Sequence, residues 1–261
     1  MIIFKHEMKR GRRALFIWSV AISAFVVISL MLYPKIERNM KLVNSILTNF
    51  QFLTAAFGMF NTDYVSMISY YGIEAGAFLG LGGGLFAATT GAAMLAKEEG
   101  RHTAEFLMPH PISRFSVITQ KLLALLVQVI ILNLFVSGVS LLAAQIVKRP
   151  FPMDQFAQLH FALLLLTIQL GLICFGLSAF MKKDNPVVGI AVTLAFYFTN
   201  IFININRETA LFKYITPYFY ADGSRVIDGA MPWDVISISY AAAAVILMAG
   251  YIKYIRKDLA I

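Results

Sequence analysis

Paired carboxylates are the first residues whose type and spacing offer chemistry. Glu98 and Glu99 stand side by side with Arg101 two residues on, and adjacent carboxylates are the raw material of acid–base hydrolysis. An intramembrane hydrolase built on Glu98 and Glu99 needs both inside the membrane, with metal-ligand histidines on other spans. The histidines, His6, His102, His110 and His160, are too scattered for the short spacings of a metal site. The pair also falls where an apolar run ends, so a solvated helix end outweighs catalysis. A proton-driven transporter is a further alternative. It needs a protonatable group at mid-membrane, and the sequence offers only Glu74, near the edge of an apolar run. ATP has no visible cradle. There is no G-x-x-x-x-G-K-[ST] motif, and the glycine cluster Gly80-Leu-Gly-Gly-Gly84 lacks its lysine. No catalytic residue, metal site or bound cofactor is therefore assigned to the chain.

These residues are held by elements that read as membrane spans. The 261 residues are 59% hydrophobic and only 14% charged, against about 25% charged in soluble domains. Runs of about 20 apolar residues suffice to cross a hydrocarbon core of about 30 Å as helices. Six spans are expected: Ala14–Tyr33, Gly72–Ala96, Val117–Val147, His160–Met181, Pro186–Asn206 and Val235–Tyr254. The fold class is thus an all-α membrane protein of one domain, 1–261. Lone Cys174 lies within an apolar run and reads as packing.

Most of the 22 Lys and Arg fall at one side of the expected spans: Lys5 to Arg13, Lys97, Arg101, Arg114, Lys121, Lys182, Lys183, Lys253, Arg256 and Lys257. Cytoplasmic segments carry the excess of Lys and Arg, so both termini are expected inside. The net charge of +8 suits anionic lipid headgroups rather than nucleic acid. Residues 1–13 read as an interfacial elbow helix, basic with Ile2, Ile3, Phe4 and Met8 for anchorage. The aromatic connection 34–71 reads as one or two amphipathic segments at the outer interface. Residues 207–234 carry Pro217, Gly223, Gly229 and Pro232 amid aromatics. They read as an outer re-entrant hairpin before the sixth span, with its backbone covered by protein.

Small residues mark the second span. Gly72, Gly76, Gly80, Gly84, Ala88, Ala92 and Ala96 recur every four residues. Such a face admits close helix approach, either within one subunit or at a dimer seam. Gly82 and Gly83 weaken the helix further. Candidate pathway residues are Glu74, Asn200 and Asn204; the asparagines, one turn apart, either meet a substrate or bond to a neighbouring helix. Gln128, Asn133 and Gln169 are left open in the same way.

The polar block KEEGRHTAEFLMPHPISR, residues 97–114, lies between the second and third spans. Pro109 and Pro111 break a helix, and Ser113 is placed to cap the next one. A short amphipathic helix over Glu99–Met108, then a rigid elbow, is expected within a coupling segment 97–116. The run Thr103-Ala-Glu-Phe-Leu-Met-Pro-His-Pro-Ile-Ser-Arg114, followed by Lys121, resembles the cytoplasmic coupling segment of ABC-type-2 exporter permeases. That family shows a Thr-x-Glu-x-Leu core, then Pro-[Val/Ile]-Ser-Arg and a later Lys. Gly100 departs from the pattern, since many members have Gly directly before Thr. The Glu-Met-Lys-Arg-Gly-Arg-Arg arm and Lys213-Tyr-Ile-Thr-Pro-Tyr-Phe-Tyr-Ala-Asp222 resemble the family's elbow helix and outer segment.

The resemblance implies a transport subunit, not an enzyme. Two permease chains, a homodimer being favoured, would bind two copies of a separate cytoplasmic ATPase that carries the ATP and Mg. Glu98, Glu99, Glu105 and Arg114 would make polar docking contacts and Phe106 and Leu107 apolar ones, with Thr103 and Pro111 also among the ATPase-coupling residues. A bacterial plasma membrane is the expected setting. The cargo would be an amphipathic antimicrobial or cytolytic peptide, or a hydrophobic toxic compound.

Overall fold

The computed structural model describes residues 2–41, 45, 49, 54, 66–96 and 113–256. The ordered elements are α1 (Ile2–Arg38), α2 (Met67–Ala75), a π-helical turn (Gly76–Leu81), α3 (Gly82–Met94), α4 (Arg114–Val147), α5 (Met153–Ser178), α6 (Pro186–Ile205), a 3-10 helix (Arg207–Tyr214), α7 (Gly223–Asp228) and α8 (Trp233–Arg256). Among the described residues there is no strand. Six helices are long and apolar enough to cross a membrane, with α2, the π turn and α3 forming one continuous span, Met67–Met94.

Local chemistry sets most of the ends. Ser66 accepts the amide of Ser69 at the start of α2. Ser113 caps α4 through the amide of Ser116, as the sequence leads one to expect. Asn185 caps α6, with Pro186 in the first turn, where its missing N–H costs nothing. α4 stops at Lys148, which takes a left-handed conformation at φ 56°. α5 begins at Met153, seven residues before the expected His160, directly after Pro152.

α1 corrects one expectation. No separate elbow is formed: a single helix runs from Ile2 through the expected arm and on past Pro34 to Arg38. The arm is held by tertiary contacts rather than laid apart from the bundle. Ile3 and Glu7 are buried, and the amide of Phe4 donates to Gln120 Oε1. Beyond Pro34, the Glu37 carboxylate pairs with Arg149 at 2.8 Å.

α5 is the most enclosed span and forms the centre. In a bilayer the helices gain little from hydrophobic burial against one another, so close packing and interhelical hydrogen bonds hold them. Asn133 of α4 donates to Thr167 of α5 at 2.9 Å. Gln169 donates to Ser239 of α8 and accepts from Tyr220 at 2.7 Å. His160 bridges Tyr71 of α2 and Ser137 of α4, at 2.7 and 2.6 Å. Gln128 lies against Gly11. At Gly189 of α6 any Cβ would sit 2.6 Å from the backbone of Ala88, so only glycine admits this approach.

Both described chain ends lie at one end of the bundle, termed the near end, where Arg114 Nη1 donates to the carbonyl of Ile255. The far end holds the Glu37–Arg149 pair and residues 205–232, tied down by Gln155 Nε2 to the Ile227 carbonyl and Gln158 Nε2 to the Gly229 carbonyl.

Candidate functional site

At the near end, the sequence-predicted docking residues Glu98, Glu99, Thr103, Glu105, Phe106, Leu107 and Pro111 lie outside the described residues. Their flanks are described, and both are fastened. Lys121 is 0% exposed. Its ammonium donates to the carbonyl of Met94, at the close of α3, at 2.7 Å and stands 3.7 Å from Glu7, itself 3% exposed. A cation at a helix C-terminus satisfies a carbonyl that the helix leaves unpaired and complements the dipole. One side chain of α4 thus clasps the last turn of the second span and the first turns of α1. On the other flank half-buried Arg114 reaches the end of α8.

At the far end the chain after α6 turns back into the bundle. Tyr218 and Tyr220 are buried, and the Tyr218 hydroxyl donates to the Gly80 carbonyl at 3.2 Å, halfway along the second span. α7 follows, pressed so closely on α2 that a side chain at Gly223 would collide with the Gly72 backbone. Backbone at this depth is tolerated where protein covers it.

This return brings a polar cluster together. Asn200 and Asn204 both donate to Asp222 Oδ2, at 3.3 and 3.1 Å. Ser224 Oγ donates to Asp222 Oδ1 at 2.7 Å. Arg225 donates to Asn204 Oδ1 and lies 3.9 Å over the ring of Phe219. Burial lowers the pKa of its guanidinium while Asp222 opposes that shift; an arginine remains cationic regardless. Burial, and secondarily the Tyr197 phenol, raise the pKa of Tyr218, keeping it a hydrogen-bond donor. The cluster borders a cavity of about 50 Å³. Gly76 and Ala77 of the π turn, Ile73, Ile201 and the rings of Tyr197 and Tyr218 complete its wall.

Of the expected pathway residues, the structure joins Asn200 to Asn204 and leaves Glu74 apart. Ile73 faces the cavity, whereas Glu74 lies toward Ser29 of α1. Asp222, Ser224 and Arg225 were not singled out by sequence reasoning as pathway residues. Their available signal was the likeness of residues 213–222 to a family segment, since the pairing with Asn200 and Asn204 is made only by the fold. The small-residue face is occupied within the chain. Gly72 and Gly76 meet Gly223, Gly80 meets Leu163, Gly84 meets Tyr218 and Leu170, and Ala88 meets Gly189; Ala92 is buried too.

A family model, ABC-2 family transporter protein, matches residues 1–259. The chain belongs to the ABC-2 transporter family. It is a multi-pass membrane permease of that family, whose members are transport subunits that work with a cytoplasmic ATPase. No curated protein matches the chain.

Proposed function

We propose that this permease is the membrane-spanning half of an ATP-driven exporter and is worked by a separate ATPase bound at its near end. The clasp of Lys121 on Met94 and Glu7 supports this reading most directly. It makes the two flanks of residues 97–112 mechanically continuous with α1, α3 and α4, so a push on that segment moves three helices together. The charge pattern supports placing the near end in the cytoplasm. Lys5, Lys9, Arg10, Arg12, Arg13, Lys182, Lys183, Lys253 and Arg256 gather there. Two permease chains, as a homodimer, bind two ATPases that carry the ATP and Mg, in a bacterial plasma membrane. Glu98, Glu99, Glu105 and Arg114 dock the ATPase with Phe106 and Leu107, and closure of the ATPases shuts the near side. Asn200 and Asn204 line the exit. The apolar bundle suits an amphipathic peptide or a hydrophobic toxic compound.

The test is co-purification with a co-expressed cytoplasmic ABC ATPase, with ATP turnover measured in the complex and in the permease alone. Turnover is expected only in the complex. Reversing charge at Glu105→Lys and Arg114→Glu should release the ATPase; a complex that survives this double change overturns the docking scheme.

A further inference from the structure

We infer that the far-end cavity is a recognition site for a primary ammonium group carried on an alkyl or peptide chain. This inference deepens the exporter reading, since it assigns a chemical class to the cargo at its exit.

Part of the hydrogen-bonding capacity in the cavity wall is spent and part is left. Asp222 is the one charged side chain in the cavity wall. Both nearby amides turn their N–H groups to it. The cation that balances it, Arg225, is not in the wall; it is turned to Asn204 Oδ1 and the Phe219 ring. Asn200 is only 7% exposed, yet its Oδ1 has no hydrogen-bond partner. A buried acceptor left unmade is costly. The cavity wall therefore offers an unspent acceptor and a negative charge. An anion would meet the negative charge of Asp222 in the wall.

The other walls fit the same ligand. The rings of Tyr197 and Tyr218, 5.4 Å apart and nearly perpendicular, present π surface of the kind that attracts ammonium groups. About 50 Å³ compares with the roughly 10–15 Å³ needed for one water. It holds an ammonium head and the first methylenes, not an aromatic ring. Ile73 and Ile201 at the wall suit the alkyl continuation. A hard metal ion fits less well. It wants about six oxygen ligands, and three donors already occupy Asp222.

The experiment uses the full chain in zwitterionic nanodiscs with no ATPase present, titrated with n-octylamine and, in parallel, n-octanol and NaCl. A ligand that binds only the folded state raises Tm saturably. Octylamine should do so, while octanol and sodium at equal concentration should not. Hydrogen bonds to charged groups being worth about 1.5–3 kcal/mol, Asp222→Asn and, separately, Asn200→Leu should each raise the half-saturating concentration about tenfold or more. Exposed Asp234→Asn should leave it unchanged. Asn200→Leu removes the orphaned acceptor and keeps the test alive if Asp222→Asn does not fold. An equal response to octanol or sodium, or an amine response intact in Asn200→Leu, overturns the proposal. Because no ATPase is used, such a failure leaves the ATPase-driven reading standing, and failed co-purification leaves amine binding standing.

Discussion

A lysine ammonium with no solvent contact must find its partners inside the protein, and Lys121 finds them in different parts of the chain. The Met94 carbonyl belongs to the end of one span and the Glu7 carboxylate to the start of another. Removing one member of such a pair takes away a charge that the other faces at 3.7 Å in the protein interior. Lys121→Met should therefore destabilise the fold by about 3–5 kcal/mol, the usual cost of breaking a buried pair, read as chemical unfolding in detergent micelles. The double variant Glu7→Gln with Lys121→Met removes both buried charges and should recover a large part of that loss. An equal loss in single and double variants would mean that packing of the lysine stem, not pairing, holds the near end.

At the scale of elements, the second span explains how a period of four residues stays on one face. Steps of four overshoot an α-helical turn by about 40° each, so Gly72 to Ala92 should drift far around a regular helix. The π turn at Gly76–Leu81 is wider, bonding i to i+5, and draws the face back. Deleting Ala77 should let ordinary α bonding run through while Gly72 and Gly84 keep their partners. The protein should then fold, with the octylamine response lost because the cavity wall has changed. Deleting Ala87 instead turns all that follows by about 100°, setting Gly91 and Ala92 against new neighbours, and should abolish folded protein on fluorescence-detected gel filtration. What was legible in the sequence follows the same division. Hydropathy located all six spans, and Ser113 with its flanking prolines announced where α4 begins, because these signals are local. The continuity of α1, the π turn and the Asp222 cluster were not legible. Glu7 is fixed by Lys121, the π turn by the Tyr218 bond to Gly80, and Asp222 by two asparagines on another helix. Each depends on partners distant in the chain.

For the whole molecule, the occupied face of the second span bears on how two permeases would pair. A seam there would need Gly72, Gly80 and Gly84 free to meet a second copy, but α5, α7, Tyr218 and Gly189 of the same chain already fill it. The helices with the least enclosed apolar surface are α6 and α8, with Phe198, Phe202, Val245 and Met248 exposed. Bulk added at Gly84 must therefore act on the subunit itself. A Cβ there would already lie 2.7 Å from the Tyr218 hydroxyl and 2.8 Å from Leu170, and overpacking a filled core costs about 1–3 kcal/mol. Gly84→Leu should lower Tm at every protein concentration, because the contact it breaks is intramolecular. A seam residue behaves differently, since its loss yields folded monomers whose Tm depends on concentration only through the dimer equilibrium. Mass photometry of Gly84→Leu in nanodiscs separates the two. A stable, folded monomer with the wild-type Tm of the isolated subunit would return this face to the dimer interface.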